Sequence, residues 1–457
     1  MKSGMPRTTR HRGFAAVLPA LCLVLMSVAC SYRHTETGHF QTAAVQAASA
    51  YVDPLLGKLK RIPGIQVTSV GPDSGYASAW EILVEQPLDH DHPGAGSFDQ
   101  RVLLSHRGPD RPVVLITEGY SLGHNFIAEL ADMLDANQLR VEHRYFGESK
   151  PDSIVWRYLT IEQAAADYHR IVEMFRPVYP DRWVSTGWSK GGQTALAYRS
   201  HYPGDVAATV AYDAPLNLAL EEPRIDAFFE SVGDSTCRRR LIDFQRLALK
   251  NKPDVLPLFH WYSKGKGYSY SVGEEKAFEY IVLEYPFSFW QYTGADCDAI
   301  PGAGATADEI LEHLRDVVSF RSYSDHALDS AAMYQFCTQL GYYHYVTKNV
   351  DDLLSDTDYP NCAYAPQDAE VVYDPEAMRR LNRWLHQNGN NILYLYGADD
   401  PWSAPFVDTS SENNARTFFL EGGNHFTFIQ TFPELERDEM LNLLDRWLTG
   451  AQEESRD

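Results

Sequence analysis

The pentapeptide Gly187-Trp188-Ser189-Lys190-Gly191 restricts the fold of this chain more than any other feature. Arg182 to Thr186 (RWVST) before it reads as the end of a buried strand, and Gly192 to Tyr198 (GQTALAY) after it reads as a helix. A serine held between strand and helix with its hydroxyl presented outward must occupy a cramped turn, so its neighbours on both sides have to be small. Gly187 and Gly191 meet that need, and Gly192 lets the helix approach the sheet. The pattern G-x-S-x-G alone is weak. With glycine and serine each near ~7% of residues, a chain of this length carries one by chance roughly one time in seven. The strand-turn-helix setting is what makes Ser189 a candidate nucleophile.

The flanking sequence extends this pattern. Pro112 to Ile116 (PVVLI) is continuously apolar, as expected of a parallel strand covered on both faces. Trp80 to Arg101 reads as strand, turn, strand; Phe126 to Leu134 as a helical stretch; and Leu139 to His143 as a further strand. Thr160-x-x-Gln163 reads as a capping box opening an amphipathic helix through Phe175. After Ala214-Pro215 the character changes, and Leu216 to about Asn390 is charged, aromatic-rich and helical. The sheet pattern resumes at Asn391 to Tyr396 (NILYLY) and at Arg416 to Leu420, and an amphipathic helix closes it from Pro433 to Leu448. Strands alternating with helices predict an α/β protein whose parallel sheet is covered on both faces. The expected division is a signal peptide over 1–30, a polar tether over 31–50, one part of the sheet domain over 51–215, a helical cap inserted over 216–390, and the second part over 391–457.

The formal charge of −22 and the lack of any basic stripe disfavour nucleic-acid binding. Lys2, Arg7, Arg10 and Arg12 form a basic n-region before the apolar run Phe14 to Val28, which is too short for a confident membrane span. Ser27-Val28-Ala29-Cys30 resembles a lipobox with serine where an aliphatic residue is usual. Lipidation of Cys30 and plain secretion after Ala29 or further downstream are both compatible with it, and both make the mature chain extracytoplasmic. A lipid anchor would then be its only link to a membrane. Cys237, Cys297, Cys337 and Cys362 remain, an even number that suggests two disulfides with three possible connectivities. Their spacing lacks the C-x-x-C pairs of a zinc site, so no metal is expected. Oligomeric state is not legible.

A serine hydroxyl needs a general base, and that base needs an orienting carboxylate. Gly397-Ala398-Asp399-Asp400-Pro401-Trp402 directly follows the NILYLY strand, and Gly422-Gly423-Asn424-His425-Phe426 follows the strand ending at Leu420. Asp400 and His425 are therefore expected at the C-terminal ends of parallel strands, where ligands bind such sheets. Asp399 competes with Asp400 for the acid role, since adjacent aspartates in a turn are often only turn formers. Asp167, Asp181 and Asp205 read as solvated. A tetrahedral intermediate needs two N–H donors, expected from the backbone of Lys190 and of Tyr120, with Gly119 the alternative to the latter.

The segments QPLDH (Gln86 to His90), SFDQR (Ser97 to Arg101), VEHRYFGESKP (Val141 to Pro151), GWSKGG and DPW carry a resemblance. They are similar to the secreted serine peptidases that cut at proline, nearest the bacterial prolyl tri- and tetrapeptidyl aminopeptidases. Lysosomal prolyl carboxypeptidase and dipeptidyl peptidase II are more distant cousins. The likeness runs from about Tyr76 to Leu448 and implies an α/β-hydrolase fold with a helical cap, a triad of Ser189, Asp400 and His425, and no cofactor. In the cousins the aspartate of an N-G-x-L-D-P-W motif is catalytic, which falls on Asp400 rather than Asp399. The implied reaction removes short peptides from a free N-terminus after proline. Such an enzyme needs a carboxylate for the substrate ammonium and an aromatic slot for the proline ring. Glu118 or Asp213 is expected to bind the amine, unless engaged in a structural ion pair, for instance with Arg144. The slot is expected from cap aromatics among Trp261, Tyr262, Phe289 and Trp290, although cap aromatics are more often core. Arg144-Tyr145 reads as architectural. A carboxylesterase or lipase, or a catalytically silent binding module on the same scaffold, are the alternatives. Tyr396 to Asp400, and the acid in Ala211-Tyr212-Asp213-Ala214-Pro215, depart from the cousins' pattern and leave substrate length open.

Overall fold

The computed structural model describes residues 54–450 except 181, 326–329 and 411. The segments 1–30 and 31–50, with Cys30, lie outside the described residues, as does Asp181. Helix α1 (Pro54–Leu59) precedes strands β1 (Ile65–Val70), β2 (Ser78–Pro87), β3 (Ser97–His106) and β4 (Val113–Thr117). Then come α2 (Glu129–Met133), β5 (Asn137–Val141), α3 (Ile161–Phe175), β6 (Trp183–Trp188), α4 (Lys190–His201) and β7 (Ala208–Tyr212). Seven helices follow before the next strand: α5 (Pro223–Ser231), α6 (Ser235–Lys250), α7 (Lys252–Lys266), α8 (Glu274–Tyr292), α9 (Ala307–Val317), α10 (Ser330–Gln335) and α11 (Pro375–Asn388). Strands β8 (Ile392–Gly397) and β9 (Ala415–Leu420) and helix α12 (Glu434–Thr449) complete the described chain.

The strands form one sheet in the order β1-β2-β3-β5-β4-β6-β7-β8-β9. Strands β1, β2 and β3 run antiparallel, and β3 meets β5 antiparallel, whereas β5, β4, β6, β7, β8 and β9 are mutually parallel. This is the α/β-hydrolase arrangement, lengthened by one antiparallel strand at the edge. Strands β4, β5, β7 and β8 are buried along their whole length, which is why β4 and β8 read as near-continuous apolar runs, whereas β5 (NQLRV) also buries Asn137, Gln138 and Arg140. Alternation assigns their side chains to opposite faces. Val113 and Leu115 pack with Tyr168, Ile171 and Phe175 of α3, while Val114 and Ile116 pack with Leu443, Leu444 and Trp447 of α12.

Between β7 and β8, helices α5 to α9 gather around α8, whose Phe278, Ile281, Val282, Phe287, Phe289 and Trp290 centre a hydrophobic core of their own. Helix α11 behaves differently. Its apolar stripe of Ala377, Met378, Leu381 and Leu385 packs on Leu196 and Ala197 of α4 and on Ile392 and Tyr394 of β8, within the helical layer of the sheet. Of the three connectivities open to the cysteines, the structure forms Cys237–Cys297 and Cys337–Cys362. Two disulfides fit a chain that folds outside the cytoplasm. Among the described residues, no helix is long and apolar enough to cross a membrane.

Several of the most recognisable sequence segments are architectural. Arg144 and Asp167 are both fully buried, and the guanidinium donates to both carboxylate oxygens at 2.7 and 2.9 Å and to the carbonyls of Pro87, Leu88 and Tyr158. His90 of the QPLDH segment reaches the same carboxylate at 2.7 Å. Glu142 accepts from the backbone N–H of Leu122, Glu148 and Ser149 and from the Ser149 hydroxyl, tying the EHRYFGES loop to itself. Asp167 is therefore not solvated, because the guanidinium compensates its burial. Asp205 is not solvated either: it accepts from the Tyr198 hydroxyl at 2.8 Å and bonds His169 at 2.8 Å. The expected capping box is half made. Thr160 accepts from the Gln163 N–H, but the Gln163 side chain turns away to Asp89 and His90.

Removing one partner of a buried ion pair strands the other without counter-charge and costs about 3–5 kcal/mol. Asp167→Ala should lower the guanidinium unfolding midpoint by that measure. Asp243→Ala, on α6 outside this network, should leave the midpoint nearly unchanged.

Candidate active site

Ser189 sits between β6 and α4 with φ 57° and ψ −126°, a left-handed backbone that a serine holds only under constraint. The constraint is the close approach of two chain segments. A Cβ at Gly187 would lie 2.2 Å from the Gly191 carbonyl oxygen, one at Gly191 2.6 Å from the Thr117 carbonyl oxygen, and one at Gly119 2.6 Å from the Gly191 nitrogen. At Gly192 it would lie 2.6 Å from the Ala214 Cβ. Hydrogen bonds lace the same segments together. The Thr117 hydroxyl donates to the Gly191 carbonyl at 2.9 Å, and the buried Lys190 ammonium donates to the Gly119 carbonyl at 2.6 Å. That ammonium also lies over the rings of Phe146 and Tyr120. The stretch Gly119–Tyr120 after β4 is thereby pressed against Lys190–Gly191, the relation expected of the two oxyanion-donor segments.

Asp400 and His425 are almost wholly buried, and the His425 Nδ1 meets Asp400 Oδ2 at 2.7 Å. Asp399 makes no such contact; its N–H donates to the Gly423 carbonyl. The histidine backbone is clamped from two sides. Its N–H donates to the Gln291 carbonyl of α8 at 3.1 Å, and its carbonyl accepts from the Trp188 indole at 2.7 Å. Trp188 directly precedes Ser189, so this bond ties the serine turn to the histidine loop. Three partly exposed rings stand around the imidazole: Trp188 at 4.9 Å and Tyr292 at 6.0 Å between centroids, with Phe426 stacked against Trp188.

Neither carboxylate expected to bind an amine is placed for it. Glu118 is held by Arg140, whose Nη2 and Nε donate at 2.6 and 3.0 Å, and not by Arg144. Burial pushes its carboxyl up and Arg140 pulls the other way. Asp213 follows β7 with φ 43° and is fully buried. It accepts from the Gly397 N–H at 3.0 Å and lies behind Asp400, so that one donor atom each of Asp213, Asp400 and His425 falls within 4.8 Å of the others. Burial, then the Asp400 charge, push Asp213 well above the ordinary carboxylate range. Of the cap aromatics, Trp261 is 65% exposed on α7 beneath Lys264. Trp290 is buried against Gly233 and lines a cavity of about 450 Å³ between α5, α6 and α8. The rings that do reach the histidine are Trp188, Tyr292 and Phe426. Of these, Trp188 and Phe426 stand next to Ser189 and His425 in the sequence, whereas Tyr292 carries no such mark.

Glu284 on α8 went unread in the sequence. It is buried, accepts from the Ser288 hydroxyl at 2.8 Å and from the Tyr343 hydroxyl, and burial pushes its carboxyl from 4.5 up to about 7. An unfolded chain releases this proton first, so the contribution of this carboxyl to stability falls as pH rises through the window from 4.5 to 7 and is gone above it. Wild type should therefore lose about 3 kcal/mol relative to Glu284→Gln between pH 4 and pH 8. Denaturant titrations at the two pH values measure the difference, and a pH-independent difference would contradict the assignment.

Residues 48–430 match the family described as PS-10 peptidase S37. A prolyl tri/tetrapeptidyl aminopeptidase of Streptomyces mobaraensis is 34% identical over 421 residues, covering 89% of this chain and 87% of that protein. A lysosomal Pro-X carboxypeptidase of Mus musculus is 30% identical over 167 residues, 32% of this chain and 34% of that protein. The serine turn, the buried histidine–aspartate pair and this breadth of match agree: the chain belongs to the S37 peptidase family and is a serine peptidase.

Proposed function

We propose that this peptidase releases tri- or tetrapeptides from free N-termini after proline, with Ser189 as nucleophile, His425 as general base and Asp400 as its orienting acid. The observation that carries the chemistry is the 2.7 Å bond between His425 Nδ1 and Asp400, which leaves Nε2 as the basic nitrogen. Ser189 attacks the prolyl carbonyl as its proton passes to Nε2. The tetrahedral oxyanion is met by the N–H groups of Lys190 and Tyr120. Collapse expels the amine, which takes the proton from the imidazolium, and water then repeats the sequence on the acyl-enzyme. The specificity follows the aminopeptidase relative, named for tri- and tetrapeptides after proline. The exposed rings of Trp188, Tyr292 and Phe426 offer the prolyl group an apolar wall beside the histidine. The reading also takes the chain to act outside the cytoplasm, with Cys30 as the lipid attachment point where the leader is processed as a lipoprotein.

The test is turnover of chromogenic amides of X-Pro, X-X-Pro and X-X-X-Pro form, free and N-acetylated, beside a short acyl ester. Three- and four-residue prolyl amides should turn over and lose activity on acetylation, whereas turnover of the ester alone would assign an esterase. Ser189→Ala should abolish turnover and labelling by a fluorophosphonate; a folded wild type that resists the label would instead be a silent binding module. Asp400→Asn, which frees the imidazole to adopt the wrong tautomer, should lower kcat by roughly 10³–10⁴.

A further inference from the structure

Glu284 is a buried carboxylate that, among the described residues, takes part in no ion pair; its partners are hydroxyls of Ser288, Tyr343 and Tyr323. Buried charges are ordinarily paired, so such a group is poised for a cation from outside the chain. Its place on α8 gives that cation a location. Glu284, Ser288, Gln291 and Tyr292 fall at i, i+4, i+7 and i+8, along one helical face. The far end of this face is the one that touches the histidine loop, through the Gln291 carbonyl and the Tyr292 ring. Leu283, Pro286, Phe287 and Trp290 line the cavity between α5, α6 and α8, as does Tyr343. Protein crowding, then Tyr120, Glu284 and Asp400, push the Tyr292 phenol up; burial, then Glu284, Tyr120 and Tyr292, do the same to Tyr342. Tyr292, Tyr342 and Glu284 are therefore near enough to act on one another electrostatically.

The spacing selects the ligand. At 1.5 Å rise per residue, the seven steps from Glu284 to Gln291 amount to roughly 10 Å along the helix. An extended peptide advances ~3.3 Å per residue. The stretch of helix between Glu284 and the carbonyl that holds the histidine loop is therefore about as long as three extended peptide residues. Glu118 and Asp213 do not compete, the first being held by Arg140 and the second enclosed behind Asp400.

We infer that Glu284 is the anchor for the substrate's α-ammonium group, and that its distance along α8 from the histidine loop sets how many residues are released. This rests on the aminopeptidase reading above. The ammonium supplies the counter-charge that the fold leaves out, and the hydroxyls of Tyr343 and Ser288 hold the carboxylate in position for it. An N-acetylated peptide cannot supply that charge.

The experiment compares kcat/KM for a free X-X-Pro amide with that for its N-acetyl form, in wild type, Glu284→Gln and Tyr343→Phe. A charge-assisted hydrogen bond is worth one to two decades in affinity. Glu284→Gln should lower kcat/KM for the free substrate 10- to 100-fold, mainly through KM, and alter the acetylated substrate by no more than a few-fold. An equal loss on both substrates, or an unchanged ratio, would overturn the anchor. If the glutamine variant does not fold, Tyr343→Phe answers the same question, since it frees the carboxylate without removing its charge. It should change KM for the free substrate at least threefold and leave the acetylated one alone, and equal changes would overturn the anchor. A wild type indifferent to acetylation would instead refute the aminopeptidase reading itself, so the two failures are distinguishable.

Discussion

Backbone contact at the serine turn is the constraint on which the rest of the molecule depends. Gly119, Gly187, Gly191 and Gly192 each face a neighbouring atom closer than any side chain would allow. They let the end of β4 touch the start of α4 and let α4 seat against Ala214 after β7. Three parallel strands are thereby fixed relative to one helix, and the strain at Ser189 is held by that interlock together with the bond from the Ser189 N–H to the Tyr212 carbonyl. The Lys190 ammonium completes it by bonding the Gly119 carbonyl, a buried charge placed where it also braces the donor segment. Strand β8 pairs with β7, and β9 with β8, so Asp400 and His425 inherit their positions from the same frame.

A second polar lattice supports the frame from the other side. Arg144 links α3 through Asp167 to the end of β2 through Pro87 and Leu88, while Glu142 closes the loop that follows β5. Each partner satisfies several groups of the other, which is what makes a buried ion pair tolerable. These residues belong to the segments QPLDH and EHRYFGES, which carried the family resemblance. They hold the walls of the site and touch none of its reacting atoms.

That separation explains how far the sequence could be read. The sheet strands PVVLI and NILYLY, the strand into Ser189 and the closing helix were legible because burial on both faces, or on one helical stripe, leaves a periodic trace. Strand β1 was not, since it lies at the antiparallel edge, where half of its residues face water. Ser189, Asp400 and His425 were legible as candidates because each lies in the turn or loop just after a strand. Asp213 also follows a strand, yet whether its carboxylate opens to solvent or turns inward to Gly397 depends on a residue 184 positions away. Glu284 left no trace at all. In an aromatic-rich helix an isolated glutamate reads as solvated, and only the packing of Tyr343 and Ser288 around it encloses it.

Helix α8 is where the two levels meet. It is the centre of the helical core between β7 and β8, anchored there by Phe278, Ile281 and Phe289, and it also carries the carbonyl that receives the His425 N–H. Because the same rigid element contacts the catalytic loop and bears Glu284, the separation between them is a property of one helix and not of a mobile arm. On the inference that Glu284 anchors the substrate ammonium, substrate length is measured as helical rise, in steps of about 1.5 Å. Shifting an acidic side chain by one turn toward Tyr292 would shorten the ruler by about 5.4 Å. That is between one and two extended peptide residues, so on the same inference the register of a single glutamate on this helix would change the length of the released peptide.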